Sequence, residues 1–224
     1  MAKIIKHNEE GKALFGKSDH LEISQTRSFA SLIFELLSEK VPTPEEEKVF
    51  ELILNLSIDH GSDTPSAEAV ISAAKNDKNI SESVAEGILQ INDVHGGAQE
   101  QLMKLLFSIK GQVSSIKGLV TEYLEQNKRM PGFGHRIYKD QDPRAQLILK
   151  ALSGKREGES RKFIIIAKEL EKELETQKGV RLPLNIDGAI AVALCSFGWD
   201  PKLGKAVFII ARTSGLCGQY LNAL

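Results

Sequence analysis

The sequence is poor in several things, and each shortage removes a class of explanation. It holds two cysteines in 224 residues, Cys195 and Cys217, both in apolar segments. A disulfide framework is therefore not indicated, and the pair reads as small buried residues rather than reactive thiols. It has no surplus of charge: 29 Lys+Arg stand against 30 Asp+Glu. That removes the global field which would draw the chain onto nucleic acid or a membrane surface. No apolar run approaches the ~20 residues needed to cross a bilayer. Met1–Glu10 is charged and has no apolar centre, so no signal peptide is expected and the chain is assigned to the cytoplasm. Alternating strands, internal repeats and low-complexity tracts are also missing. What remains is 42% apolar and 26% charged residues, ordinary for a soluble globular protein of one generous domain or two small ones.

The apolar residues recur mostly at helical spacing. Residues 1–26 are weakly periodic, with Gly11 and Gly16 interrupting any helix, and read as an arm on the body or on a partner subunit. From Thr26 onward Phe29, Leu32, Ile33 and Leu36 mark a helix. Thr43-Pro44-Glu45-Glu46 is a strong helix start, with a capping threonine, proline at the first position and glutamate completing a capping box. The helix it opens is apolar nearly all round from Val49 to Leu56, which predicts burial on several sides and a place in a homodimer interface. Further helices are expected over 65–74, 81–91, 102–109, 116–124, 145–152, 163–174 and 189–197, with a last one capped by Asp200-Pro201. The polar stretch 153–160 between two of them reads as an exposed mobile connector. The fold class is all-α.

Three polar turns break these helices, and each carries a group that can move protons: His95, His135 and Asp187. The richest is Pro131-Gly132-Phe133-Gly134-His135, followed by Lys139 and Arg144. Its glycines let a ligand approach the main chain, its imidazole titrates near neutrality, and its cations suit a polyanion. His60, Arg144 and Arg212 suit carboxylates, and Arg212 inside an apolar helix demands a partner for its charge. A carboxylate base with two imidazoles can take a proton from carbon while polarising two oxygens, the equipment for carbon–carbon bond chemistry beside a carbonyl. Taken singly, each residue has a plain structural reading, as a turn former or a helix cap, and no spacing rule makes the three turns converge.

Val94 to Glu100, Pro131 to Arg144, Asn185 to Gly188 and Ala211 to Gly215, with Asp59-His60-Gly61 upstream, resemble the citrate synthase superfamily in order and spacing. The likeness runs from about Ser28 to the C-terminus. It implies a citrate-synthase-like helical fold with a large domain (1–95 and 200–224), a small domain (96–199) and the site between them. It also implies a homodimer or higher oligomer. By position, Asp187 resembles the base that deprotonates the acetyl methyl, His95 the stabiliser of the thioester enolate, and His135 the acid/base on the keto or hydroxyl oxygen. His60, Arg144 and Arg212 resemble the clamp on oxaloacetate or citrate carboxylates. Pro131, Gly132, Phe133 and Gly134 resemble the backbone that receives the coenzyme A adenine, and Lys139 a phosphate contact. The substrate so implied is a coenzyme A thioester, acetyl-CoA or citryl-CoA, and no metal is implied.

Full citrate synthases are longer, with helices ahead of this starting point and a C-terminal tail that carries an arginine into the partner's site. The short form resembles stand-alone citryl-CoA lyases and the lyase module of ATP-citrate lyase, as do Asp59-His60-Gly61 and Asp187-Gly188. His95 points the other way, since that module has an aromatic residue there. The expected activity is reversible cleavage of citryl-CoA to acetyl-CoA and oxaloacetate, with a second subunit for citryl-CoA synthesis as a further partner. The alternatives are citrate or 2-methylcitrate synthase, a non-catalytic helical scaffold, and a metal module of Asp59, His60 and Asp63. Those last three lie too close to a proline-started helix to form a closed metal site.

Overall fold

The computed structural model describes residues 5–93, 95–109, 116–154 and 158–224. Val94 of the His95 turn, residues 155–157 of the expected connector and residues 1–4 lie outside the described residues. Eleven α-helices dominate the described residues, as the periodicity predicts, and they separate into two compact units, Met1–Leu52 and Ile53–Leu224.

The first unit corrects one expectation. Residues 5–19 form a three-stranded antiparallel meander of β1 (Ile5–His7), β2 (Ala13–Phe15) and β3 (Ser18–Asp19). Strands of two or three residues are too short to display alternation, which hid them. Gly11 and Gly16, read as helix interruptions, are left-handed turn residues at φ 77° and 64°. Asp19 then caps α1 (His20–Thr26), a helix earlier than the sequence pattern predicts. Ser28 caps α2 (Phe29–Ser38), whose Phe34 meets Phe50 of α3 (Pro44–Ser57) edge to face at 5.4 Å. The capping box of α3 forms as expected: the Thr43 amide donates to Glu46 Oε2 at 2.8 Å, and the Glu46 amide to Thr43 Oγ1 at 3.3 Å. Along α3, Val49, Phe50 and Ile53 are buried while Leu52, Leu54 and Leu56 are half-buried.

The regular elements described in the second unit are helices, built around α10 (Ile186–Ser196). Every residue from Ile186 to Cys195 is buried, as a helix apolar on all faces must be. It packs on α6 (Ala98–Ile109), α8 (Pro143–Leu152) and α9 (Glu159–Lys178), and α7 (Ile116–Glu125) packs on α9. The 21-residue α11 (Leu203–Ala223) packs on α4 (Pro65–Lys75), α5 (Ile80–Leu89) and α6. Asp200 does not occupy the N-cap of α11; it accepts the Lys202 amide at 2.9 Å in a turn one step earlier. The ends of these helices deliver the three polar turns.

Candidate active site

Two of the turns are zipped together by main chain. The Gly134 amide donates to the Pro183 carbonyl at 2.8 Å, and the Asn185 amide to the Gly132 carbonyl at 3.0 Å. The Asn185 side chain closes the seam by donating to the Gly134 carbonyl at 2.8 Å and capping α10 through the Gly188 amide. Gly132 sits at φ 80°, and a Cβ there would lie 2.8 Å from Gly188 Cα. Only a glycine pair lets the His135 turn come this close to the head of α10, which carries Asp187 in its first turn.

Asp187 is 8% exposed, and its Oδ1 accepts the Gln99 side-chain amide at 2.9 Å. Burial pushes its pKa up to about 6, against the pull of Arg144 and Arg212. His135 is fixed by its own turn: the Ile137 and Tyr138 amides both donate to Nδ1 at 3.1 Å. Nδ1 is thereby the acceptor, and the ring proton of the neutral imidazole sits on Nε2. Tyr138 stacks on the ring with centroids 4.8 Å apart. Burial and the Arg144 charge lower the His135 pKa, which keeps the ring neutral.

Arg144 is locked by Asp142, a fully buried residue that also caps α8. Arg144 Nε donates to Asp142 Oδ1 at 3.0 Å and Nη2 to Oδ2 at 2.8 Å, a bidentate fork. Asp142 Oδ2 further accepts the Ile186 amide at 3.1 Å, tying the heads of α8 and α10. Burial alone would raise the Asp142 pKa, but the Arg144 hydrogen bonds and charge bring it below its ordinary value. The free edge of the fork faces two imidazoles, with Nη1 3.3 Å from His60 Nδ1 and Nη2 3.2 Å from His135 Nε2. The second contact brings two donors face to face, since His135 Nε2 already carries its proton. Both are placed to donate to one anionic oxygen.

His95 Nε2 lies 3.0 Å from Ser66 Oγ, a buried hydroxyl in the first turn of α4. With Ser66 donating, Nδ1 keeps its proton as a hydrogen-bond donor. Burial, then Arg212 and His60, lower the His95 pKa. Arg212 is 3% exposed; its Nε donates to the Ser57 carbonyl at 2.9 Å and its guanidinium lies 4.7 Å from the Phe208 ring centroid. Burial lowers its pKa while Asp59 and Asp187 oppose the shift.

The structure therefore brings together His60, His95, His135, Arg144, Asp187 and Arg212 around one cavity of about 900 Å³, with Phe133, Gly134 and Lys139 on its wall. Pro131 and Gly132 instead line an adjoining cavity of about 850 Å³, and Asp187 belongs to both. Lys139 is exposed and donates to the His135 carbonyl at 3.1 Å. Asp63 is paired with Arg136, and Asp59 accepts the Gly61 amide and Gln219. Among the described residues no three His, Cys, Asp or Glu converge to hold a metal ion, and no helix is long and apolar enough to cross a membrane. Sequence reasoning passed over Asp142, Ser66 and Gln99. Asp142-Pro143 carries a helix-start signature that marks at least the first of them.

Comparison with known proteins agrees with this architecture. The family profile described as "Citrate synthase, C-terminal domain" matches residues 1–224. The citrate synthase of Synechocystis is 32% identical over 214 residues, covering 92% of this chain and 52% of the relative. The chain spans about half the length of the curated relatives it matches. The citryl-CoA lyase of Hydrogenobacter thermophilus superposes with TM-score 0.88 at 35% identity, covering 100% of this chain and 86% of that one. The ATP citrate lyase of Methanosaeta concilii, solved with (3S)-citryl-CoA, shares the fold with TM-score 0.87 at 21% identity, covering 99% of this chain and 38% of that one.

Proposed function

The chain belongs to the citrate synthase family, and from that premise we propose that it makes and breaks the carbon–carbon bond between an acetyl thioester and oxaloacetate, acting on citryl-CoA as a lyase. The observation that carries this reading is the place of Asp187, a buried carboxyl with its pKa raised to about 6 at the meeting of two cavities. One cavity has the histidines and arginines for a polycarboxylate. The other has the glycine turn, with Lys104, Lys128 and Arg129 as cations for a phosphate-bearing arm.

In the condensing direction Asp187 takes a proton from the thioester methyl. The His95 Nδ1–H donates to the enolate oxygen, and the carbon attacks the keto carbon of oxaloacetate. Negative charge moves to the former keto oxygen, where His135 Nε2–H and the Arg144 fork meet it. Cleavage runs the same path backward. The hydroxyl proton leaves to solvent, and His135 Nε2–H and the Arg144 fork steady the alkoxide. The carbon–carbon electrons return to the thioester as enolate, and Asp187, protonated at the outset, delivers its proton to carbon. His60 and Arg212 hold the carboxylates, and Asp142 sets the Arg144 fork before substrate arrives. Lys139 and the main chain of 131–134 hold the coenzyme.

A lyase passes the thioester through intact, whereas a synthase also hydrolyses it. Support for the lyase comes from the likeness to the Hydrogenobacter citryl-CoA lyase, which extends over most of that protein. The second reading, citrate or 2-methylcitrate synthase, is favoured by His95 and by the Synechocystis relative. Mixing the protein with acetyl-CoA and oxaloacetate separates them: slow or absent release of free thiol supports the lyase, and rapid stoichiometric release with citrate as product supports the synthase. We also propose a homodimer using α3, whose Leu52, Leu54 and Leu56 stay half-buried in one chain; a monomer by light scattering at micromolar concentration contradicts it.

A further inference from the structure

Gln99, on α6, donates a hydrogen bond to the proposed base. It is fully buried, and its Nε2 donates to Asp187 Oδ1 at 2.9 Å. Its Oε1 is buried and has no hydrogen-bond partner. A glutamine kept for packing alone would be expected to satisfy both ends of its amide or to be replaced by an apolar residue. The backbone around it leaves no room for drift: a Cβ on Gly204 of α11 would lie 2.9 Å from Gln99 Cβ.

The orientation of the amide follows from the charge of its partner. An ionised carboxylate only accepts, so Nε2 must face it. A protonated carboxyl can donate, and a half-turn of the amide then offers Oε1 as acceptor. Gln99 can thus bond Asp187 both before and after it takes a proton. By occupying Oδ1 it leaves Oδ2, which makes no hydrogen bond to a described side chain, as the oxygen that meets substrate.

We propose that Gln99 is a positioning residue for the reaction: it fixes which carboxylate oxygen of Asp187 acts as base and favours the ionised form of that base. This rests on the reading of Asp187 given above. The charged groups acting on Asp187 are Arg144 and Asp142 at the head of α8 and Arg212 on α11, with His60, His95 and His135 on the cavity wall. α6 contributes this amide and, on the wall of the cavity that Asp187 shares, Lys104, which is paired with Glu100 of the same helix. Removing the amide donor leaves those charges in place and withdraws a charge-assisted hydrogen bond from the carboxylate but only a weaker, neutral one from the protonated carboxyl. The base should then hold its proton to higher pH, by about one to two units for a hydrogen bond to a buried charge.

The test compares wild type, Gln99→Met, Gln99→Glu and Asp187→Asn. Methionine matches glutamine in length without polar atoms, and glutamate matches its shape. The Asp187 carboxyl is titrated by difference infrared spectroscopy against Asp187→Asn, and the pH dependence of citryl-CoA formation from acetyl-CoA and oxaloacetate, the direction in which Asp187 is the base, is measured alongside. We expect both the infrared midpoint and the acid limb of kcat/KM to move up by about one to two units in Gln99→Met. They should move at least as far in Gln99→Glu, where a second carboxyl shares the proton. Rates at pH 9 should recover to within about tenfold of wild type. Should Gln99→Met fail to fold, the isosteric Gln99→Glu carries the same test. Midpoints unchanged in the Gln99 variants, with rate lost equally at every pH, would reduce Gln99 to a packing residue and overturn the proposal while leaving Asp187 as base. An Asp187→Asn variant that keeps both rate and acid limb would instead overturn the Asp187 reading and this proposal with it.

Discussion

Replacing Asp187 by asparagine should stabilise the fold while it destroys turnover. The folded-state pKa of Asp187 is raised from 3.8 to about 6. A carboxyl whose folded pKa is raised contributes stability that is present below the unfolded pKa and lost as pH rises through the folded one. The difference of about 2.2 units, at 1.36 kcal/mol each, makes ionised Asp187 a liability of about 3 kcal/mol at pH 8. At pH 4, where the native carboxyl is nearly all protonated, the same arithmetic leaves about 0.5 kcal/mol. Asparagine is neutral at every pH, has almost the same shape and can keep the Gln99 bond through its own carbonyl. For a chain of this size each kcal/mol is worth about 2–4 °C in Tm, so the variant should melt about 6–12 °C above wild type at pH 8 and within about 2 °C at pH 4. Most of the gain should appear between pH 4 and 6. The histidines titrate in both proteins and cancel from the comparison. Thermal denaturation followed by circular dichroism from pH 4 to 8 is sufficient. A variant less stable than wild type at pH 8, or one stabilised equally at both ends, would refute the buried-carboxylate argument.

Asp142→Ala should cost up to about 3–5 kcal/mol in urea unfolding, because it strands the half-buried Arg144 guanidinium and removes the α8 cap together. Gly132→Ala should cost about 1–3 kcal/mol for its left-handed backbone alone, and more for the clash with Gly188. Its unfolding curve should shift while the acid limb of the pH profile stays in place. Lys139→Ala should weaken acetyl-CoA binding measured by calorimetry, with a smaller salt dependence than wild type. An unchanged affinity would remove Lys139 from the coenzyme site.

How far the sequence could be read depended on the range of the interaction concerned. The Thr43–Glu46 capping box and the Thr64-Pro65 start of α4 involve neighbours, and both formed as the local pattern predicts. The β1–β3 meander was missed because its strands are shorter than one period of a readable alternation. The convergence of the three turns depends on contacts such as Arg144 with His60, 84 residues apart, and Gln99 with Asp187, 88 apart. Local periodicity cannot register such pairs; the resemblance to a family supplied the residues, and the structure supplied their geometry. The near-neutral composition also misled in one respect. A net charge of −1 conceals a cavity whose walls gather Lys128, Arg129, Arg136, Lys139, Arg144 and Arg212. Asp142 was in plain view before Pro143, but its bond to the Ile186 amide became visible only once α8 and α10 were placed.

The claim on which the account turns is that Asp187 exchanges a proton with the carbon of an acetyl thioester inside a site that spares the thioester from water. Rapid-quench analysis of citryl-CoA incubated with wild type and with Asp187→Asn tests it most directly. Wild type should yield oxaloacetate and acetyl-CoA faster than citrate and free coenzyme A. Asp187→Asn should lower the yield of acetyl-CoA per second by about 10²–10⁴, the usual worth of a positioned acid or base. Citrate and free coenzyme A as the main products of wild type, or acetyl-CoA formed by Asp187→Asn at the wild-type rate, would contradict it.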